Sequence, residues 1–317
     1  MIDNLIFSLN ATMPIFMMMV VGWVLKKIKL INDSANSVMN KLVFRVFLPA
    51  LLFMDLAKQD FSAIWDTGFV LFCLVVTVVS IFVALLLARI FVSSEDRGEF
   101  IQASYRSAAA TLGIAFMTNI YDNVAMVALM IIGSVPIYNI VAVLVLSLTS
   151  PDSAGLGDKK ALAKKTITNV VTNPIILSIV AGLLWSVFKI PQPVIFVKSV
   201  TYLGNVASPL ALICLGAEFE FGDLKEKLVP IIAILFNKLF LFVMAFMPLA
   251  VYLGYRDEKL VALLIMLGSA TTSSSFIMAK NMGHKGIISS SAVMTTTLFS
   301  SFSLTLWLFV LRMLVYI

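Results

Sequence analysis

Gly268-Ser269-Ala270-Thr271-Thr272-Ser273-Ser274-Ser275 is a run of small and hydroxylated residues set inside an otherwise apolar stretch from Leu260 to Met278. Hydroxyls both donate and accept hydrogen bonds, and the residues from Ser269 onward cover nearly two helical turns, so they point all round the axis. A single stripe of such residues is a helix-packing face in membranes. A packing partner covers only one face, however. The rest of the ring must line a cavity or a break in the helix, the places where irregular backbone is tolerated at membrane depth. Thr271, Thr272, Ser273 and Ser274 are therefore candidate substrate-binding groups.

A second small-residue segment, Ser104-Tyr105-Arg106-Ser107-Ala108-Ala109-Ala110-Thr111-Leu112-Gly113, offers Ser107 and Thr111 for the same purpose. If both segments unwind and cross, four half-helix ends meet. The N-terminal ends carry free N–H groups and partial positive charge, which suit a carboxylate. Pro136-Ile137-Tyr138-Asn139 adds a hydrogen-bonding pair, Tyr138 and Asn139, beside a proline kink, where an interhelical hydrogen bond is the competing role. Two arginines are candidates for attracting an anion. Arg106 is expected to snorkel to the cytoplasmic surface in preference to facing a wet cavity, because it lies near the start of its span. Arg45 lies well inside its span, four residues before Pro49, where it either pairs with a carboxylate or attracts an anion. Lys238 is equally open in role. No Asp or Glu lies within the two small-residue segments, and Asp55 and Glu218, at the ends of their spans, read as caps or solvated loop residues.

The elements that position these groups are membrane helices. Of 317 residues, 61% are hydrophobic and 13% charged, and apolar stretches of about 20 residues recur along the chain, a balance that excludes a soluble domain. The sequence predicts ten spans, at 5–25, 36–56, 66–91, 98–119, 124–148, 167–188, 195–216, 228–252, 258–279 and 287–314. The first is preceded by Asp3 and followed by Lys26, Lys27 and Lys29, the reverse of a secretory signal, so it reads as a retained span. The net charge of +6 fits loop lysines and arginines under the positive-inside rule better than a nucleic-acid surface. Loops after odd-numbered spans hold fourteen Lys and Arg against five on the other side, so both termini are expected to be extracytoplasmic. Cys73 and Cys214 lie in apolar spans and His284 is the only histidine, so neither a disulfide, a metal site nor a cofactor is indicated.

A weak internal repeat runs through the chain. Pro14 and Gly22 recur as Pro174 and Gly182, Pro49-Ala50-Leu51-Leu52 as Pro209-Leu210-Ala211-Leu212, and Ala109-Ala110-Thr111 as Ser269-Ala270-Thr271, all at an offset of 160. The expected division is a first repeat at 1–150, a cytoplasmic linker at 151–165 and a second repeat at 166–317. Each repeat holds an odd number of spans, so the second enters the membrane in the opposite sense, a pattern that favours an alternating-access carrier and leaves a channel built of repeats as the other reading.

These residues resemble a family. Leu48-Pro49-Ala50-Leu51-Leu52-Phe53, Leu112-Gly113-Ile114, Pro136-Ile137-Tyr138-Asn139, Asn173-Pro174, Ser208-Pro209-Leu210-Ala211-Leu212, Leu215-Gly216-Ala217 and Ala279-Lys280 with Gly283 are similar in order and spacing to the auxin efflux carrier (PIN-like) family, which includes bacterial malate and malonate permeases. The resemblance implies an all-α polytopic membrane protein with ten transmembrane helices as two inverted five-helix repeats and crossed broken helices 4 and 9. It further implies a scaffold of spans 1, 2, 6 and 7, a transport unit of spans 3–5 and 8–10, a homodimer in the cell membrane, and carriage of organic anions past the crossing. Span 4 departs from the family pattern in carrying Ala108 and Ala115 where Asn and Pro usually stand, and span 9 has its Ala/Thr/Ser run where Pro and Asn are usual. Unwinding must then rest on glycine and on hydroxyls that compete for backbone hydrogen bonds. The expected function is a carrier for small carboxylates such as malate. The alternatives are a sodium-coupled symporter of the bile-acid type and a non-transporting, ligand-sensing membrane protein. An enzyme is disfavoured, because no nucleophile–base pair or metal-ligand cluster is present in any span.

Overall fold

A computed structural model describes residues 2–58, 65–121, 125–150, 167–168, 171–219 and 226–317. It is all-helical over those residues. The expected linker at 151–165 lies outside them. Spans 1, 2, 3 and 5 run Ile2–Lys27, Asp33–Ala57, Thr67–Phe91 and Ala125–Thr149. Spans 6, 7, 8 and 10 run Pro174–Val187, Val194–Glu218, Leu228–Tyr252 and Ile287–Met313. Spans 4 and 9 are each two helices, Arg97–Tyr105 with Ala109–Tyr121, and Asp257–Gly268 with Ser274–Asn281.

Among the described residues six helices are long and apolar enough to cross a membrane unaided. The broken spans escape that criterion because neither half is long enough. Span 6 corrects the expected 167–188. Its helix starts at Pro174, where Asn173 Oδ1 accepts the Ile175 N–H at 2.9 Å and the proline takes the first turn without losing a hydrogen bond. The remaining 14 residues rise about 21 Å, short of a 30 Å hydrocarbon core. Side-chain caps set two other starts. Asn32 accepts the Ala35 N–H at the head of span 2, and Asp66 the Phe69 N–H at the head of span 3.

Small residues decide which spans pack together. A Cβ on Gly22 would stand 2.1 Å from the carbonyl oxygen of Ile213, and one on Gly216 would stand 1.9 Å from that of Met19, so spans 1 and 7 touch backbone to backbone. Gly182 does the same for spans 6 and 2 against the Phe53 carbonyl, at 2.8 Å. Gly22 and Gly182, one repeat length apart, thus each seat the first span of their half on the second span of the other half. Spans 3, 4 and 5 pack on one another, as do spans 8, 9 and 10, while span 10 also lies along span 1.

Candidate functional site

The two small-residue segments are where the helices break, and the breaks meet. Span 4 leaves helical geometry at Arg106, Ser107 and Ala108, and span 9 at 269–273. The amide of Ala108 donates to the carbonyl of Ala270 at 2.8 Å, joining the segments through their backbones. Thr271 Oγ1 donates to Ala103 O at 2.9 Å, taking up a carbonyl freed at the break of span 4, and Gln102 Nε2 donates to Ser275 O at 2.9 Å as a further tie across the crossing. Thr296 Oγ1 in span 10 accepts the Thr271 N–H, and the buried Glu99 carboxylate caps the start of span 10 by accepting from Gly286 and Ser289. No proline is needed for these breaks. Hydroxyls and a glutamine supply the competing partners.

A cavity of about 70 Å³ sits against the crossing. Ser107, Ala108, Thr272, Ser273 and Ser274 line one side, with Tyr138 and Asn139 from span 5. Leu48, Leu51, Leu52 and Asp55 of span 2 and Ser208 of span 7 close the other side. The helices that begin at Ala109 and Ser274 both turn their N-terminal ends toward it. Their first-turn N–H groups and partial positive charge face the same space.

Arg106 belongs to this cavity, which corrects the expectation that it would snorkel. It is 2% exposed. Nη2 donates to Asn139 Oδ1 at 2.9 Å and to Ser274 Oγ at 2.8 Å, and Nη1 donates to Gln102 Oε1 at 3.2 Å. These partners are neutral, and Nε is buried without a partner among the described residues. The helix ends at Tyr105, and the turn at Arg106 directs the side chain sideways into the crossing, not along the axis to the surface. Asp55 also departs from expectation. It faces the crossing cavity and is neither a cap nor a loop residue.

Of the other candidates, Thr271 is 2% exposed and spends its hydroxyl on Ala103, holding the crossing together instead of lining the cavity. Thr111 lies on the second helix of span 4, and its side chain is outside the described residues. Lys238 is fully buried and donates to Tyr105 O at 3.2 Å, at the carbonyl end of the first half of span 4. Arg45 is exposed in a separate, larger space between spans 2, 6 and 9. Both Arg45 and Lys238 sit on π turns, Val43–Phe47 and Asn237–Leu241, the one-turn widenings that re-aim a side chain within a helix. Gln102 was not singled out from the sequence. Its spacing of one helical turn before Arg106 was the available signal.

A crossing of two broken helices, two cross-packed halves and a polar cavity walled by both fit a membrane transport protein. The chain belongs to the membrane transport protein family, the family of the auxin efflux carriers, whose model matches residues 7–308. No curated protein matches the chain.

Proposed function

We propose that the chain is a secondary carrier for small organic anions, malate and related carboxylates, with alternating access at the crossing of spans 4 and 9. The observation that carries this reading is the Arg106 guanidinium, buried against neutral hydrogen-bond partners with Nε unused. A cation held away from water without a paired carboxylate is expensive, and a bound anion is the partner that offsets the cost. The converging N-terminal ends of two half-helices and the hydroxyls of Thr272, Ser273 and Ser274 fit the same carboxylate. The tight cavity holds a few waters, so loading requires its walls to part. Spans 1, 2, 6 and 7 are the proposed scaffold, spans 3–5 and 8–10 the moving unit, and a homodimer in the cell membrane, with both termini extracytoplasmic, is the proposed assembly.

Asp55 supports a second, coupled form of the same carrier, because it is the carboxylate on the cavity lining and can take up a proton or sodium ion as the anion enters. Uptake of labelled malate into proteoliposomes tests both. Saturable uptake is expected, and an imposed sodium or proton gradient accelerates it only in the coupled form, an acceleration that Asp55→Asn removes. Absence of both uptake and binding across a carboxylate panel, in folded protein, would overturn the carrier reading. Binding without flux would favour a sensor.

A further inference from the structure

Outside the crossing, two adjoining polar cavities of about 420 and 790 Å³ share Arg45, Lys280 and Asn281. They lie between the proposed scaffold and the proposed moving unit. Span 2 contributes Asn40, Lys41 and Arg45, and span 9 contributes Lys280 and Asn281. Arg45 is twelve residues from the head of span 2, about 18 Å along the helix at 1.5 Å per residue, yet it remains exposed because the cavity reaches it. The π turn on which it sits points it into this space. Among the described residues no carboxylate pairs with it. Lys41, Arg45 and Lys280 outnumber Asp33 and Glu218 on the lining, and an intramembrane arginine in a polar cavity of net positive charge attracts small anions.

Lys280 faces the same space but is engaged. Its Nζ is ion-paired with Glu218 at the end of span 7, and Asn36 Nδ2 holds the other carboxylate oxygen of Glu218 at 3.0 Å. Asn281 Nδ2 reaches Asn40 O at 3.3 Å beside it. The Lys280 and Asn281 contacts run from span 9 to spans 7 and 2, from one proposed unit to the other. The pairs Lys26–Asp33, Lys227–Asp96, Lys259–Asp66 and Lys285–Glu95 each close within a single unit. Relative motion of the units therefore has to break Lys280–Glu218, whereas the other four pairs can ride along.

We propose that Arg45 and Lys280 form a second anion site, apart from the crossing, at which a carboxylate docks on Arg45 and competes with Glu218 for Lys280, releasing the latch between the two units. A small carboxylate has the charge and the two oxygens needed to bridge the guanidinium and the ammonium, and it replaces the Glu218 carboxylate like for like. Its ligand is the anion assigned above to the crossing, so the two readings share a substrate but fail separately.

The test uses full-length protein in liposomes with the buried Cys73 and Cys214 replaced by alanine and Asn281→Cys as a reporter, read by the rate of labelling with a water-soluble thiol reagent. Asn40→Cys on the opposite wall is the second reporter in case the first disturbs folding. Malate is expected to raise the labelling rate about fivefold or more, the size of an ordinary coupling between sites. Sodium chloride at matched ionic strength is expected not to do so. Arg45→Gln should abolish the malate response, and Glu218→Gln should give fast labelling without malate. An equal response to chloride, a full response in Arg45→Gln, or slow labelling in Glu218→Gln would overturn the proposal. Ser273→Leu, which fills the crossing cavity, separates the two readings. Loss of the labelling response there would place the anion at the crossing and sink the second site. A retained response with no uptake in any variant would leave the second site standing and remove the carrier reading.

Discussion

Arg106 and Arg45 are the same residue type, each set within a span, and they are treated in opposite ways. Arg106 sits on the irregular segment between two half-helices, is 2% exposed, and has every placed partner neutral. Arg45 sits on a π turn within a continuous helix and is exposed in a wide, polar cavity. In water a guanidinium keeps most of its solvation and attracts anions loosely. Buried in the crossing it has surrendered most of that solvation, and any anion that reaches it recovers a large interaction. The exposed arginine is suited to attracting an anion and the buried one to holding it.

The contrast can be tested from the larger effect downward. Arg106→Gln should lower malate uptake by about 100-fold, the equivalent of roughly 3 kcal/mol for a desolvated charge contact. The thermal midpoint in detergent should stay level or rise, because the uncompensated charge is gone. A clear fall in midpoint with uptake preserved would make Arg106 a strut instead of a ligand group. Ser273→Leu should reduce uptake below about a tenth by filling the 70 Å³ cavity while gel-filtration behaviour stays normal. Thr271→Val should act the other way round. It removes the bond to Ala103 O and costs about 1 kcal/mol of stability, seen as a lower unfolding midpoint, with less effect on uptake than Ser273→Leu.

The smallest effect belongs to a charge pair outside both sites. Lys259 and the Phe69 amide hold the Asp66 carboxyl below its usual value of 3.8, the Lys259 hydrogen bond being the larger cause. A depressed carboxyl contributes stability above its unfolded value, and that contribution is lost as pH falls through the folded one. Thermal unfolding should therefore show an extra acid sensitivity below about pH 4, following the ordinary aspartate range, that Asp66→Asn removes. Identical acid profiles for the two proteins would rule out this pair as a contributor.

Much of this arrangement was legible in the sequence. A polar run that covers every face of a helix cannot be buried by one neighbour, and both such runs are where the backbone breaks. The ends of spans 2, 3, 7, 8 and 10 follow from the length of their apolar stretches and from caps such as Asn32 and Asp66. What was not legible depends on neighbours. Arg106 lies close enough to the end of span 4 to reach the surface, and only the position of Asn139 and Ser274 turns it inward. Asp55 looks like a helix-end residue until the crossing is set against span 2. The pairing of Lys280 with Glu218 joins residues 62 apart in sequence and follows from packing alone. The π turns leave no mark in composition, since they are a matter of register within a helix.

The bond from the Ala108 amide to the Ala270 carbonyl carries a consequence for how such a protein can drift. It is made by peptide groups, so it is indifferent to which side chain either position carries. Proline at 108 is the exception, because it has no N–H to give. Substitutions of side chains around the joint can therefore be tolerated while the two chain segments stay fastened. The side chains that line the cavity are then free to change without a rebuilt architecture.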